Sequence, residues 1–117
     1  MKQKLINLLL PYSTDSNGIY ECMPDSCLSD DQRIEIELRE RVADKIYDNY
    51  LSAISHSHSI PVMDYEIEKF LKTIPQDGLI LDIGGCWGWH WRRLAITRPD
   101  VNAIIIDFIR SNLVHAK

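Results

Sequence analysis

At 117 residues the chain has room for one domain and a modest core. Apolar content of 45% and charged content of 26% exclude wholesale disorder, and the formal net charge of −4 disfavours a nucleic-acid partner, which usually calls for a basic face. Three cysteines, Cys22, Cys27 and Cys86, make no dense disulfide framework and point to a reducing, cytoplasmic setting.

The N-terminal apolar block is broken by Asn7 and stopped by Pro11, too short for a signal-peptide core or a membrane span, so no membrane association is expected. Lys4–Leu10 reads equally as a strand or a short helix. Asn17-Gly18 followed by Ile19-Tyr20 signals a hairpin. Cys22 and Cys27 enclose M-P-D-S as C-x₄-C, but a zinc ribbon needs a second close pair, and no bound zinc is expected. Residues 1–28 thus read as a small irregular lobe.

Ser29–Ser55 is the clearest helix in the sequence. Ser29 and Gln32 fit a capping box, and Asp30 and Asp31 put negative charge at the positive end of the helix dipole. Leu38, Val42, Ile46, Tyr50 and Ile54 recur at four-residue steps as one apolar stripe. Ser55–Pro61 is a polar break whose His56 and His58 have no third metal ligand at convincing spacing, so it reads as a solvated loop. A second helix follows, with Asp64 as its expected cap and Ile67, Phe70, Leu71 and Ile74 as its expected buried side. Together, residues 29–76 read as a helical cap.

Leu79–Ile83 is a continuous apolar run, as expected for a parallel strand covered on both faces, and it breaks into the turn Gly84–Gly88. Helical pattern resumes over Trp89–Thr97. A second strand, Val101–Ile106, ends in Asp107, and Ser111–Lys117 begins another helix. Trp87, Trp89 and Trp91 alternate around His90; on a helix, residues two apart diverge, so no single stacking platform is expected. Trp87 belongs to the turn, and Trp89 or Trp91 to the core.

Strand, glycine turn, helix, strand and terminal acid form half of a nucleotide-binding α/β unit. A dinucleotide turn wants G-x-G-x-x-G, and from Gly84 that pattern fails at Cys86 and Trp89. The stretch Leu81–Lys117, with L-D-I-G-G-C-W-G, Leu94-Ala95, R-P-D-V, I-I-I-D-F and Ala116-Lys117, resembles the opening of a Rossmann-like S-adenosylmethionine-dependent methyltransferase. The resemblance implies an α/β fold in which residues 77–117 carry the first two parallel strands of that core and their helices. It implies S-adenosylmethionine as cofactor. Gly84, Gly85 and Gly88 would form the turn under the methionine and ribose, with Cys86 at a position usually held by glycine. Asp82 would hold the turn and meet the methionine ammonium. Asp107, 107 − 88 = 19 residues past Gly88, would take the ribose hydroxyls, with Phe108 beside the adenine.

The later strands and acceptor loops of such an enzyme are absent, so no catalytic base and no methyl acceptor is assigned. A stop within a helical pattern is expected of a truncated N-terminal portion, inactive alone. The strand Leu79–Ile83 would then have one apolar, unpaired edge, which invites self-association. A non-catalytic assembly module on the same half-fold is the alternative reading, and a nicotinamide-dinucleotide fragment ranks behind it.

Overall fold

The hairpin signal and the strand–turn–strand run become the two sheets of the computed structural model, which describes residues 2–47, 54 and 58–116. The fold is mixed α/β: one small sheet is antiparallel and the other is a parallel pair. Tyr50 and residues 55–57 of the Ser55–Pro61 break, His56 among them, lie outside the described residues, and His58 is exposed.

The first helix, α1, spans Lys2–Leu9 and resolves the ambiguous N-terminal run. Strands β1 (Ser13–Thr14) and β2 (Tyr20–Glu21) pair antiparallel, as the Asn17-Gly18 signal requires. The turn is held by Asp15 Oδ1, which accepts the backbone N–H groups of Asn17 at 2.7 Å and Ile19 at 3.0 Å. Gly18 supplies the positive φ of 72°.

Helix α2 is described over Asp30–Tyr47 and begins with the reciprocal capping box. Ser29 N–H donates to Gln32 Oε1 at 2.9 Å, and Gln32 N–H donates to Ser29 Oγ at 3.3 Å. The stripe is placed otherwise than the periodicity suggests. Leu38, Val42 and Ile46 are exposed, and the helix docks through Glu40, the buried Ala43 and Asp44. Glu40 and Asp44 account for this, because they take the first N–H groups and the Ser111 hydroxyl of α5 (Arg110–His115). Periodicity reveals an apolar face but not its neighbour.

Helix α3, Ile60–Leu71, starts four residues before the expected cap, with Pro61 in its first turn, where a missing N–H costs nothing. Asp64 therefore sits inside the helix and instead binds Arg92, with both carboxylate oxygens at 2.6–2.7 Å from one guanidinium nitrogen. Leu71 is buried and Ile67 and Ile74 pack around it, but Phe70 is largely exposed, its ring 6.3 Å from that of Trp91.

Strands β3 (Leu79–Ile83) and β4 (Asn102–Ile106) pair parallel, Leu79 opposite Asn102 through Ile83 opposite Ile106. Ile80 and Ala103 join Leu71, Val101, Trp91 and Leu94 in a small core. The other face is uncovered: Leu79, Leu81 and Ile83 are 43%, 56% and 78% exposed, so the expectation of a strand covered on both faces fails. The connection is also not the continuous helix expected over Trp89–Thr97. It is a 3₁₀ turn, Trp89–Trp91, followed by the one-turn helix α4, Leu94–Thr97. The side chains of consecutive residues His90 and Trp91 both reach one oxygen of Asp82, which fixes the tight turn.

Arg98 locks this unit to the end of α3. Its guanidinium donates to the carbonyls of Leu71 at 2.5 Å, Ile74 at 3.1 Å and Pro75 at 3.2 Å, which end that helix, while Asp100 holds it from the other side at 2.7 and 2.9 Å. The Arg98 hydrogen bond holds the Asp100 carboxyl well below the usual carboxylate range, and Asp100 in turn raises Arg98. Because the folded value is depressed, this pair stabilises the fold above the unfolded carboxyl value near pH ~4, and the contribution fades as pH falls below it. Thermal midpoints measured from pH 6 to pH 2 should fall in the native chain, with a flatter profile in Asp100→Asn. An equal slope in both would place the acid sensitivity elsewhere.

Candidate functional site

Largely apolar residues carry the backbone of β3 and β4 to a common end, where β3 gives way to Gly84 and β4 to Asp107. There the sequence-predicted residues Asp82, Gly84, Gly85, Cys86, Gly88, Asp107 and Phe108 come together, since Ile83 and Ile106 are register partners. The ladder continues one step past β3: Gly84 N–H donates to Ile106 O at 2.8 Å.

The turn alternates between backbone conformations that L side chains avoid and ones they accept. Gly84, Cys86 and Gly88 have φ of 75°, 54° and 67°. For Gly84, an added Cβ would meet nothing within 4 Å, so this backbone is open to a close approach from outside. Gly85 is different. A Cβ there would stand 2.1 Å from Asp82 Oδ2 and 2.9 Å from Ile105 Cγ2, so its missing side chain makes room inside the fold. Gly88 likewise would meet Ile105 Cδ1 at 2.4 Å. Cys86 is the one residue of the three with a side chain to strain, and a left-handed backbone costs it roughly 1–2 kcal/mol. It places a half-buried thiol at the apex of a strand-to-helix bend, a conformation that its residue type does not signal.

Two carboxylates hold this bend. Asp107 Oδ2 accepts the Cys86 N–H at 2.9 Å, joining the tip of β4 to the turn after β3. Asp107 Oδ1 accepts the Ile109 N–H at 2.8 Å and the amide of the buried Asn112 at 3.1 Å. A carboxylate has about four lone-pair directions, so with three donors on Asp107 about one remains, on Oδ2. Asp82 Oδ2 accepts His90 Nε2–H and Trp91 Nε1–H, each at 2.8 Å, and Oδ1 has no partner among the described residues. Phe108 lies at the rim, 63% exposed.

The tryptophans divide in a way that helical geometry does not anticipate. Trp91 packs into the core, but Trp87 and Trp89 stack with centroids 5.5 Å apart and planes at 20°. Trp87 precedes the 3₁₀ turn, so the divergence rule for helices does not apply to this pair. His115 covers the far side of Trp87 at 5.1 Å, and the Arg92 guanidinium lies 4.7 Å from the Trp89 ring centroid. The column is therefore occupied at both ends. Trp89 Nε1 is buried and has no hydrogen-bond partner among the described residues.

The larger hollow lies elsewhere. A shallow groove of about 440 Å³ runs beside β4, lined by Gly88, Leu94, Ala95, Val101, Ala103 and Ile105 among others; of the predicted site residues Gly88 alone borders it. The strand tips form an exposed ledge with fixed polar groups.

Substitutions in the turn separate packing from strain. Gly85→Ala should lower unfolding free energy by about 1–3 kcal/mol, the usual cost of overpacking. Cys86→Gly should raise it by about 0.5–1 kcal/mol, the relief of left-handed strain less the entropy of glycine. Urea denaturation of the three chains measures both. A destabilised Cys86→Gly would show that the thiol contributes more than its backbone costs.

No protein-family model matches the chain, and neither a curated protein nor a solved structure matches it.

Proposed function

We propose that the ends of β3 and β4 bind a nucleoside-containing methyl donor, S-adenosylmethionine, and that the chain is the cofactor-binding portion of a Rossmann-like methyltransferase. The observation that carries this reading is the Cys86 N–H bond to Asp107 at 2.9 Å, which sets an acid at the second strand tip directly against the glycine turn of the first. In open α/β sheets, ligands bind outside the carboxyl ends of parallel strands. The parallel pair, the acids near its strand ends and the open backbone of Gly84 support this reading.

Each group has a chemical part. Asp107 offers a ribose hydroxyl its remaining lone-pair direction, one charged hydrogen bond in place of the bidentate grip the sequence suggests. Asp82 Oδ1 is the available anion for the methionine ammonium, while Oδ2 keeps the turn in shape through His90 and Trp91. Phe108 offers a ring face at the rim for the adenine. The reaction of the parent enzyme would be an in-line displacement of the sulfonium methyl by an acceptor nucleophile, favoured by positioning and desolvation. No residue is assigned as base and no acceptor is named. Three cysteines, too few for a disulfide framework, fit a reducing, cytoplasmic setting, and no helix among the described residues is long and apolar enough to cross a membrane.

Calorimetric titration with S-adenosylhomocysteine should release heat with the intact chain. Loss of one charged hydrogen bond in Asp107→Ala should weaken binding about 10- to 100-fold. No heat from the intact chain, with its fold verified by circular dichroism, would favour the assembly-module reading, and heat from a nicotinamide dinucleotide would favour the third.

A further inference from the structure

Asp82 is held differently from the acids around it. Its Oδ2 accepts two side-chain N–H groups, Trp91 Nε1–H and His90 Nε2–H, each at 2.8 Å. A Cβ at Gly85 would stand 2.1 Å from this oxygen, so the turn walls it in as well. Oδ1 is left without a partner among the described residues. Asp64 and Glu68 of α3 line one small cleft with His90, and each is matched by an arginine, Arg92 at 2.6 Å and Arg93 at 3.1 Å. Among the described residues Asp82 has no arginine or lysine in ion-pair reach, and its only ionisable partner is His90.

One hydrogen bridges Asp82 Oδ2 and His90 Nε2, and an ionised carboxylate brings none, so it belongs to the imidazole. Neutral His90 then keeps Nδ1 bare, with no partner among the described residues and a side chain 25% exposed. A proton taken there leaves the bond to Asp82 in place and adds a positive charge beside it. The charged and titratable groups facing His90 are Asp82 from β3, Asp64 and Glu68 from α3, and Arg92 and Arg93 from its own turn. The α3 acids are already matched, so the added charge acts on Asp82. The Trp91 indole, 4.8 Å from the imidazole, donates at any pH. At the other strand tip, Asp107 holds only backbone N–H groups and the Asn112 amide, none of which titrates.

We propose that His90 is a positioning residue that makes the Asp82 end of the site sensitive to pH. Neutral, it presents Asp82 as an anion to an incoming ammonium; protonated, it cancels that anion. The inference rests on the methyl-donor reading, in which Asp82 Oδ1 meets the methionine ammonium. A proton on His90 and an ammonium at Oδ1 then compete, and each weakens the other by the same factor, about ten-fold for an ordinary coupling. Affinity is full above the imidazole range and is lost as pH falls through it, from pH ~8 to pH ~5. The dependence belongs to the amino-acid end of the ligand. The nucleoside end, at Asp107, is indifferent to it.

Calorimetry of the full chain with two thioethers, at pH ~7.5 and pH ~5.5, tests it. S-adenosylhomocysteine carries the ammonium, and 5′-methylthioadenosine has the same nucleoside without it. From the higher pH to the lower, the first should lose about five- to ten-fold in affinity and the second less than about two-fold. His90→Gln keeps an N–H donor but takes no charge, so both profiles should be flat in it, whatever its affinity at pH ~7.5. His115, the imidazole against Trp87, is unchanged in this variant, so a slope of its own would persist. Should the variant fail to fold, the native chain decides. At pH ~6.5, S-adenosylhomocysteine should release a fraction of a proton, read from heats in buffers of different ionisation enthalpy, and 5′-methylthioadenosine none. Equal profiles for the two ligands, a slope that survives His90→Gln, or no proton release would overturn the inference and leave the methyl-donor reading standing. Binding of neither ligand at pH ~7.5 would overturn both.

Discussion

The bond from Cys86 N–H to Asp107 Oδ2 ties together the ends of two strands that, among the described residues, pair only with each other. A two-stranded sheet is marginal by itself, and here one of its faces is open. What keeps the strand tips at fixed separation is a carboxylate that also caps the next turn through Ile109 and Asn112. The same group that would recognise a sugar is therefore also a structural brace. That double duty limits what it can offer a ligand, and its bond to the Cys86 N–H offsets part of the strain of a cysteine held in a left-handed conformation.

The pattern repeats across the molecule. Among the described residues few side chains are deeply buried: a cluster around Leu71, Ile80 and Val101, with Ala43 and Ile109 buried apart from it. Between elements, acidic side chains do much of the joining. Asp15 holds the hairpin turn and reaches Arg110; Glu40 caps α5 from α2; Asp64 and Glu68 of α3 hold Arg92 and Arg93; Asp100 holds Arg98. Buried apolar area stabilises without regard to direction, whereas these bonds are directional, so they set how the elements sit on the sheet.

How much of this the sequence reveals depends on the range of the interaction. Local devices are legible: the Ser29–Gln32 box and the Asn17-Gly18 turn form from neighbours in the chain, and the apolar runs of β3 and β4 show as strands, though not as each other's partners. The start of α3 is also written locally, in Pro61, but Asp64 is an equally good cap by residue type and misleads. Long-range partners are not legible. Nothing in the stripe of α2 says that Glu40 and Ala43, rather than Leu38 and Val42, will meet the rest of the chain. The R-P-D-V motif marks the entry to β4, yet only the folded chain brings Arg98 onto the carbonyls of Leu71 and Ile74. In the site, the gathering of Asp82, Gly84, Cys86 and Asp107 follows from topology. The inward roles of Gly85 and Gly88 do not, because they depend on where Asp82 and Ile105 point.

Backbone amide shifts in a ¹⁵N-labelled chain, followed as S-adenosylhomocysteine is added, examine the central claim most directly. The account expects saturable shifts confined to the strand tips: Gly84, Cys86 and Phe108, with Asn112 following through Asp107. Shifts centred on Ala95, Ala103 and the groove beside β4, or none at the tips at saturating ligand, would contradict it.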